Sequence, residues 1–212
     1  MMIKKIKTYL ISGGIDEVIS YALTYIRNVF YYKSETIFLY LEKGNIEIPK
    51  SSRDISFNIY NKSTELKKLN FDRIKTLSYK QWFEQGSQAI IGFYETKPVS
   101  FTWSHFNNYK IHSINDINLS NNKCWIGPTF VDKSMRGKGL NKAQIVYQLN
   151  NIPNCITYCL TSANSKNIAS IKSFERLGFK KGLIITKNYG MFSKHNTKMS
   201  FKNNGNEIFK LQ

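Results

Sequence analysis

Acidic residues are scarce in this 212-residue chain: 14 Asp and Glu stand against 31 Lys and Arg, a formal charge of +17. Such a surplus disfavours cationic partners and points to anionic ones: nucleotides, nucleic acid or a membrane surface. The imbalance is uneven. Residues 132–212 hold 14 basic side chains against three acids, whereas residues 1–50 hold seven against five. Cysteine is scarce too. Cys124, Cys155 and Cys159 are too few for a disulfide scaffold, and no CxxC pair or neighbouring histidine suggests a metal. Cys155 and Cys159 lie four apart in a strand-like run and are expected to share a face as buried free thiols, which fits a reducing cytoplasm. No apolar run approaches the ~18 residues of a membrane span. The opening segment has the lysines of a signal peptide, but Gly13, Gly14, Asp16 and Glu17 interrupt any apolar core. The expected location is the cytoplasm. Internal repeats and domain-separating linkers are also missing. What remains is ample for a core, with 42% hydrophobic and 14% aromatic residues.

Residues 15–30 place Ile15, Val18, Ile19, Ala22, Leu23, Ile26, Val29 and Phe30 on one helical stripe, with Asp16 and Glu17 in the first turn. "ETIFLYLEKGNIEI" reads as two short strands about Lys43-Gly44-Asn45. Residues 1–53 are thus an extension whose helix covers an exposed sheet. The alternative is a basic foot on the inner membrane face, through Lys4, Lys5 and Lys7. A regular pattern follows over 54–192. "ISFNIY" alternates as a strand, Ser63 or Thr64 caps a short helix, and "SYKQWFEQG" is a helix stopped at Gly86. "AIIGFYETKPVSFTWSHF" is a hairpin about Glu95–Lys97 with Pro98 opening its second strand. Residues 107–123 form a polar loop. Then "CWIGPTFV", "LNKAQIVYQLN", "CITYCLT", "NIASIKSFERL" and "GLIIT" alternate strand and helix, the second helix ending at Gly178. Residues 193–212 are expected to be a basic, loosely fixed tail.

The stretch "SMRGKGLNKA", residues 134–143, stands between a strand and a helix. That arrangement binds phosphate, because the first amides of a helix lack acceptors and the dipole adds positive charge. Gly137 and Gly139 permit close approach and unusual backbone angles. Arg136 offers a bidentate fork, and Lys138 adds a point charge. Neither a Walker loop nor GxGxxG is present. On these residues alone, an ordinary basic turn and a nucleic-acid contact stay open.

Two signatures in order narrow the choice. "FVDKSMRGKGLNKA" resembles the Arg/Gln-x-x-Gly-x-Gly/Ala loop of the GCN5-related N-acetyltransferase superfamily, with Arg136, Gly139 and Asn141 at the Arg, Gly and Ala positions. "NIASIKSFERLGF" resembles its second signature through Asn167, Ser170, Leu177, Gly178 and Phe179. The likeness covers residues 54–190. It implies an α/β fold: a mixed, mostly antiparallel sheet of about seven strands, helices on both faces, and a splayed central strand pair holding acyl-coenzyme A. It also implies that the amides of residues 136–141 (Arg136, Gly137, Lys138, Gly139, Leu140, Asn141) hold the pyrophosphate. Phe130 and Val131 would pair with the pantetheine arm, with Asn167 and Ser170 opposite. A nucleic-acid partner becomes the weaker reading.

In this superfamily an amine attacks the thioester directly, which requires a neutral amine, oxyanion hydrogen bonds and a proton for the thiolate. A Tyr often gives that proton; here its position is Phe174, which cannot. Ser173, Ser170 and Tyr158 are the substitutes in reach of the sequence. Glu84, Glu95, His105, His112 and Asp116 are the candidates for the base, with His105 first, although an exposed strand-end histidine is the competing reading. Trp103 and Trp125 are expected in the core. The extension and the "RGKGLNKAQI" and "NIASIKSFERLGF" stretches look similar to members found among surface-polysaccharide enzymes, which implies as acceptor a primary amine, an amino sugar on a nucleotide or lipid carrier. The alternatives are a protein or peptide amine, an aminoglycoside, or a binding protein that keeps the fold without catalysis. No metal is expected.

Overall fold

The computed structural model describes residues 19, 23, 32–44, 55–75, 77, 79–106, 119, 121–190 and 193–209. The strands are β1 Tyr32–Glu42, β2 Ile55–Tyr60, β3 Gln88–Tyr94, β4 Lys97–His105, β5 Lys123–Ile126, β6 Phe130–Val131, β7 Tyr158–Asn164, β8 Lys180–Gly190 and β9 Ser193–Phe201. The helices are α1 Ser63–Leu66, α2 Asp72–Lys75, α3 Tyr79–Glu84, α4 Leu140–Asn150, α5 Ile168–Glu175 and α6 Gly205–Ile208. Hydrogen-bonded neighbours run β2-β3-β4-β5-β7-β1-β8-β9, with β6 on β4. The chain divides into two compact units: residues 1–36 with 184–200, and residues 37–183 with 201–212.

The larger unit carries most of the core. Along β4, alternation sends Phe101 and Trp103 into an apolar cluster with Leu66 of α1, Ile74 of α2, and Trp82 and Phe83 of α3. The intervening Thr102 and Ser104 face the other way, onto Gln148 of α4. Helices therefore cover both faces, as the resemblance implied. Each large side chain so buried contributes about 1.5–3 kcal/mol.

The strand expected as "CWIGPTFV" breaks in two. β5 pairs in parallel with β7 at Lys123↔Tyr158, Cys124↔Cys159 and Trp125↔Leu160. Beyond residues 127–129 the chain resumes as β6, which pairs antiparallel with β4 at Ser100↔Val131 and Phe101↔Phe130. The register on β4 slips by one residue across that turn, since Ser104 faces Ile126; the extra residue is a bulge that swings the strand aside. So β5 and β7 are zipped at one end and part at the other. This is the splayed pair.

Two expectations need correction. Of the extension expected over residues 1–53, the described stretch 37–43 belongs to the larger unit, because Ile37–Leu41 of β1 are buried there in a continuous run and Lys43 N–H donates to Thr157 O at 2.7 Å. Phe38 lies 6.0 Å from Trp125. A strand between β7 and β8 needs apolar residues on both faces, and "IFLYL" supplies them. Nor are residues 193–209 of the expected tail loose. They form β9 and α6, Phe209 is fully buried against Phe38 and Tyr40, and Gly205 sits so close to the Gly182 backbone that a side chain there would overlap it. Among the described residues the strands number nine, against the expected seven or so.

In the smaller unit, Tyr32 stacks on Tyr189 at 5.4 Å and Thr186 donates to Glu35 at 3.4 Å. Ile19 and Leu23 are helical and exposed. The rest of the 15–30 stripe, the lysines at 4, 5 and 7, and the second strand of the first hairpin lie outside the described residues.

Candidate functional site

The loop after β6 is built by local hydrogen bonds. Asp132 caps a short 3-10 turn, Lys133–Met135, accepting from the Ser134 amide at 2.9 Å and its hydroxyl at 2.7 Å. Those two bonds hold the Asp132 carboxyl below the usual carboxylate range. Its own N–H donates to Val99 O, which ties the loop to β4. Arg136 Nε donates to Val131 O at 3.1 Å, folding the guanidinium back along β6. Gly137 and Gly139 then take φ of +72° and +76°, the left-handed region that glycine enters without cost. Beneath them Val99, Met135 and Leu140 form a small apolar cluster.

α4 starts at Leu140 with Gly139 before it and no side-chain cap. Its first internal bond runs from the Ala143 N–H to Gly139 O at 3.0 Å, so the amides of residues 140–142 lack an intrahelical acceptor. They open onto a cleft of about 590 Å³. Nine of the ten residues expected to hold a cofactor line it: Phe130, Val131, Arg136, Gly137, Gly139, Leu140 and Asn141 on one side, Asn167 and Ser170 on the other. Lys138 does not, and is exposed. Lys142, Ser173 and Arg176 line the cleft as well. They are not among the matched positions of the two signatures, although Asn167, Ser170, Ser173 and Arg176 recur every three residues, a stripe legible in the sequence. A Cβ built at Gly137 or Gly139 would meet nothing within 4 Å. Open amides, two bare glycines, and the cations Arg136, Lys142 and Arg176 fit a diphosphate.

Asn167 also serves the fold, since its side chain caps α5 by accepting from the Ser170 amide at 3.2 Å. Across the cleft Asn141 Nδ2 donates to Ser173 Oγ at 3.2 Å. That bond ties Ser173 to the first turn of α4.

The other catalytic candidates lie elsewhere. Phe174 is buried, 5.0 Å edge-on from Phe179. Phe179 N–H donates to Phe174 O and Gly178 N–H to Glu175 O, with Gly178 at φ +90°, so the Leu-Gly-Phe signature is a Schellman stop and the two rings are its apolar contact. Tyr158 is half-buried at the start of β7, beside Lys123 at the zipped end, away from the cleft. His105 is no exposed strand-end residue: it is fully buried, with Nδ1 2.8 Å from Ser87 Oγ and Nε2 2.8 Å from Gly127 O. Burial drives its pKa from 6.5 down to about 3, against the raising effect of the Gly127 bond. Glu84 and Glu95 are exposed, while His112 and Asp116 lie outside the described residues. Trp103 and Trp125 are core, as expected.

The thiols are rearranged too. Cys155 is exposed in the turn before β7, while Cys159 faces Cys124 across the parallel pair at 3.5 Å. The bond to Cys159, then burial, pushes the Cys124 thiol up. Among the described residues no group of three His, Cys, Asp or Glu is placed to hold a metal, and no helix is long and apolar enough to cross a membrane.

No family model and no curated protein matches the chain. Solved structures do match in fold. A GCN5-related N-acetyltransferase from Kribbella flavida superposes with a TM-score of 0.53 at 13% identity, over 86% of this chain and 65% of its own. A GCN5-related glucosamine N-acetyltransferase region of a fungal multi-domain β-N-acetylglucosaminidase gives 0.54 at 11%, over 82% and 23%. A conserved protein of unknown function from Staphylococcus epidermidis gives 0.50 at 13%, over 79% and 65%. The chain spans 65% or less of each of these structures. The fold is thus that of the GCN5-related N-acetyltransferases.

Proposed function

We propose that the chain is an acyl-coenzyme A-dependent N-acyltransferase that moves an acetyl group to a primary amine. The observation that carries this is the cleft at the strand splay, where the phosphate loop, the α4 amides and the α5 stripe converge. Acetyl-CoA, when bound, supplies an activated thioester. The residues at hand do the rest of the holding. The α4 amides and Arg136, Lys142 and Arg176 bind the diphosphate end, and Asn141 with Ser173 fixes that end of the cleft. The β6 backbone and the Asn167–Ser170 turn flank the arm, orienting the thioester for direct attack. Water completes proton transfer to the leaving thiolate, since a thiol of pKa ~8.5 leaves readily. Of the sequence candidates for proton transfer, Ser173, Ser170, Tyr158 and His105, the two serines line the cleft, and Ser170 is our choice because Ser173 already accepts from Asn141. An amino sugar carried on a nucleotide or lipid is our preferred acceptor. The formal charge of +17 suits a phosphate-bearing amine and disfavours cationic aminoglycosides and basic peptides. The fungal structure of similar fold is a glucosamine N-acetyltransferase region, which favours the same choice.

A second reading, a coenzyme A-binding protein without catalysis, is favoured by one observation: Phe174 and His105 are both buried away from the cleft. Incubation with acetyl-CoA and panels of amino sugars, nucleotide amino sugars and peptides, followed by thiol release, separates the two. Tight acetyl-CoA binding with no release on any acceptor supports the second reading; failure to bind removes both. A cytoplasmic location is part of this reading; contact of Lys4, Lys5 and Lys7 with the inner membrane face is the alternative role of the first residues, tested by liposome flotation with and without residues 1–12.

A further inference from the structure

The Ser87–His105 pair lies outside the cleft, yet it acts on the place where the cleft begins. Trp125↔Leu160 is the last rung between β5 and β7. The next two carbonyls, of Ile126 and Gly127, are taken by side chains instead of by the neighbouring strand. Thr161 Oγ1 on β7 donates to Ile126 O at 2.9 Å, and His105 Nε2 on β4 meets Gly127 O at 2.8 Å. The Gly127 N–H is turned to Trp103 O at 2.9 Å. A carbonyl only accepts, so Nε2 carries the ring proton; Nδ1 then has none and accepts from the Ser87 hydroxyl. Trp103 lies parallel to the imidazole at 6.0 Å, and Trp82 meets it edge-on at 5.0 Å. A buried carbonyl without a partner is costly. Each clip removes that cost in the parted geometry, where the strand ladder no longer supplies a donor.

We propose that His105, oriented by Ser87, is a positioning residue that grips the Gly127 carbonyl, sets where the chain leaves β7, and so fixes the Phe130–Val131 backbone along the cleft. The proposal rests on the acyl-coenzyme A reading of that cleft. Burial keeps the ring neutral in the folded state, and the bonds to Gly127 O and Ser87 Oγ select the Nε2-protonated tautomer.

The test uses two ligands and two substitutions on the full chain. Adenosine 3′,5′-bisphosphate carries phosphates but no pantetheine arm; coenzyme A carries both. His105→Leu should weaken coenzyme A at least tenfold by calorimetry and leave the bisphosphate within threefold, because only the arm lies along β6. His105→Gln, which keeps an N–H at the reach of Nε2, should recover most of the coenzyme A affinity. Equal loss of both ligands, no loss of either, or no difference between the Gln and Leu variants would overturn it. Should His105→Leu not fold, Thr161→Val releases the adjoining carbonyl and must give the same split. Failure of the coenzyme A reading itself appears differently, as a wild-type chain that binds neither ligand. Nitrogen-15 spectra of the wild-type imidazole decide the clip without any ligand: a neutral, Nε2-protonated ring at pH 5 supports it, and a charged or Nδ1-protonated ring sinks it.

Discussion

Gly139 is the residue on which the loop end of the cleft turns. Its φ of +76° sets the direction in which α4 starts, and its missing side chain leaves the approach to the α4 amides open. Gly139→Val asks a β-branched residue to hold a left-handed backbone, at a cost of about 1–2 kcal/mol, and puts two methyls in the approach. Coenzyme A affinity is expected to fall at least tenfold by calorimetry, and unchanged affinity would place the diphosphate elsewhere. His105 gives a second prediction at this scale. Its pKa is depressed from 6.5 unfolded to about 3 folded, so below pH 6.5 the unfolded chain binds a proton that the folded chain refuses. The contribution is complete above 6.5 and is lost as the pH falls towards 3, at ~1.4 kcal/mol per pH unit. Carboxylates titrate in the same range, so the quantity to measure is the difference between wild type and His105→Gln in denaturant melts. The wild type should lose stability more steeply between pH 6.5 and 4.5. Parallel curves would mean that the ring is not held neutral.

Among the elements, α5 shows how one segment serves both the fold and the site. Asn167 caps it, Ser170, Ser173 and Arg176 turn to the cleft, and Phe174 with Gly178 and Phe179 closes it. Gly178→Ala puts a Cβ on a φ of +90° and against Leu41 Cδ1 at 3.4 Å. It should lower stability by about 1 kcal/mol or more in urea melts, with coenzyme A affinity per folded molecule unchanged. Asn167→Ala should cost about 1 kcal/mol of stability through the lost cap, and also weaken coenzyme A binding. A change in stability alone would restrict Asn167 to the cap. The same element explains what the sequence makes legible. The cleft residues come from two continuous stretches, 129–142 and 167–176, so caps, glycines and periodicity are enough to find most of them. The setting of His105 is not legible in this way, because its partners, Ser87 and Gly127, are 18 and 22 residues away and are brought together only by strand pairing. β1 escapes for the same reason: an apolar run beside a turn reads as a hairpin, and nothing local shows that it inserts between β7 and β8.

At the scale of the whole molecule, charge is the property that local geometry leaves unexplained. The surplus of 17 positive charges far exceeds what three cations at the cleft require. Exposed charges spread over the surface add little to the stability of a bound state but raise the local concentration of an anion, and salt weakens them because the Debye length is about 10 Å at 0.1 M. A polyanionic donor should therefore arrive faster at low salt. Association of acetyl-CoA, followed by stopped flow, is expected to slow about tenfold or more between 20 and 500 mM salt, with a smaller change in dissociation. S-acetylpantetheine, which has the thioester but no phosphates, serves as the control and should show almost no salt dependence. If both ligands respond equally, the charge acts on the fold and not on the encounter. If neither responds, the basic surface serves some partner other than the donor, and a phosphate-bearing acceptor becomes the next anion to test.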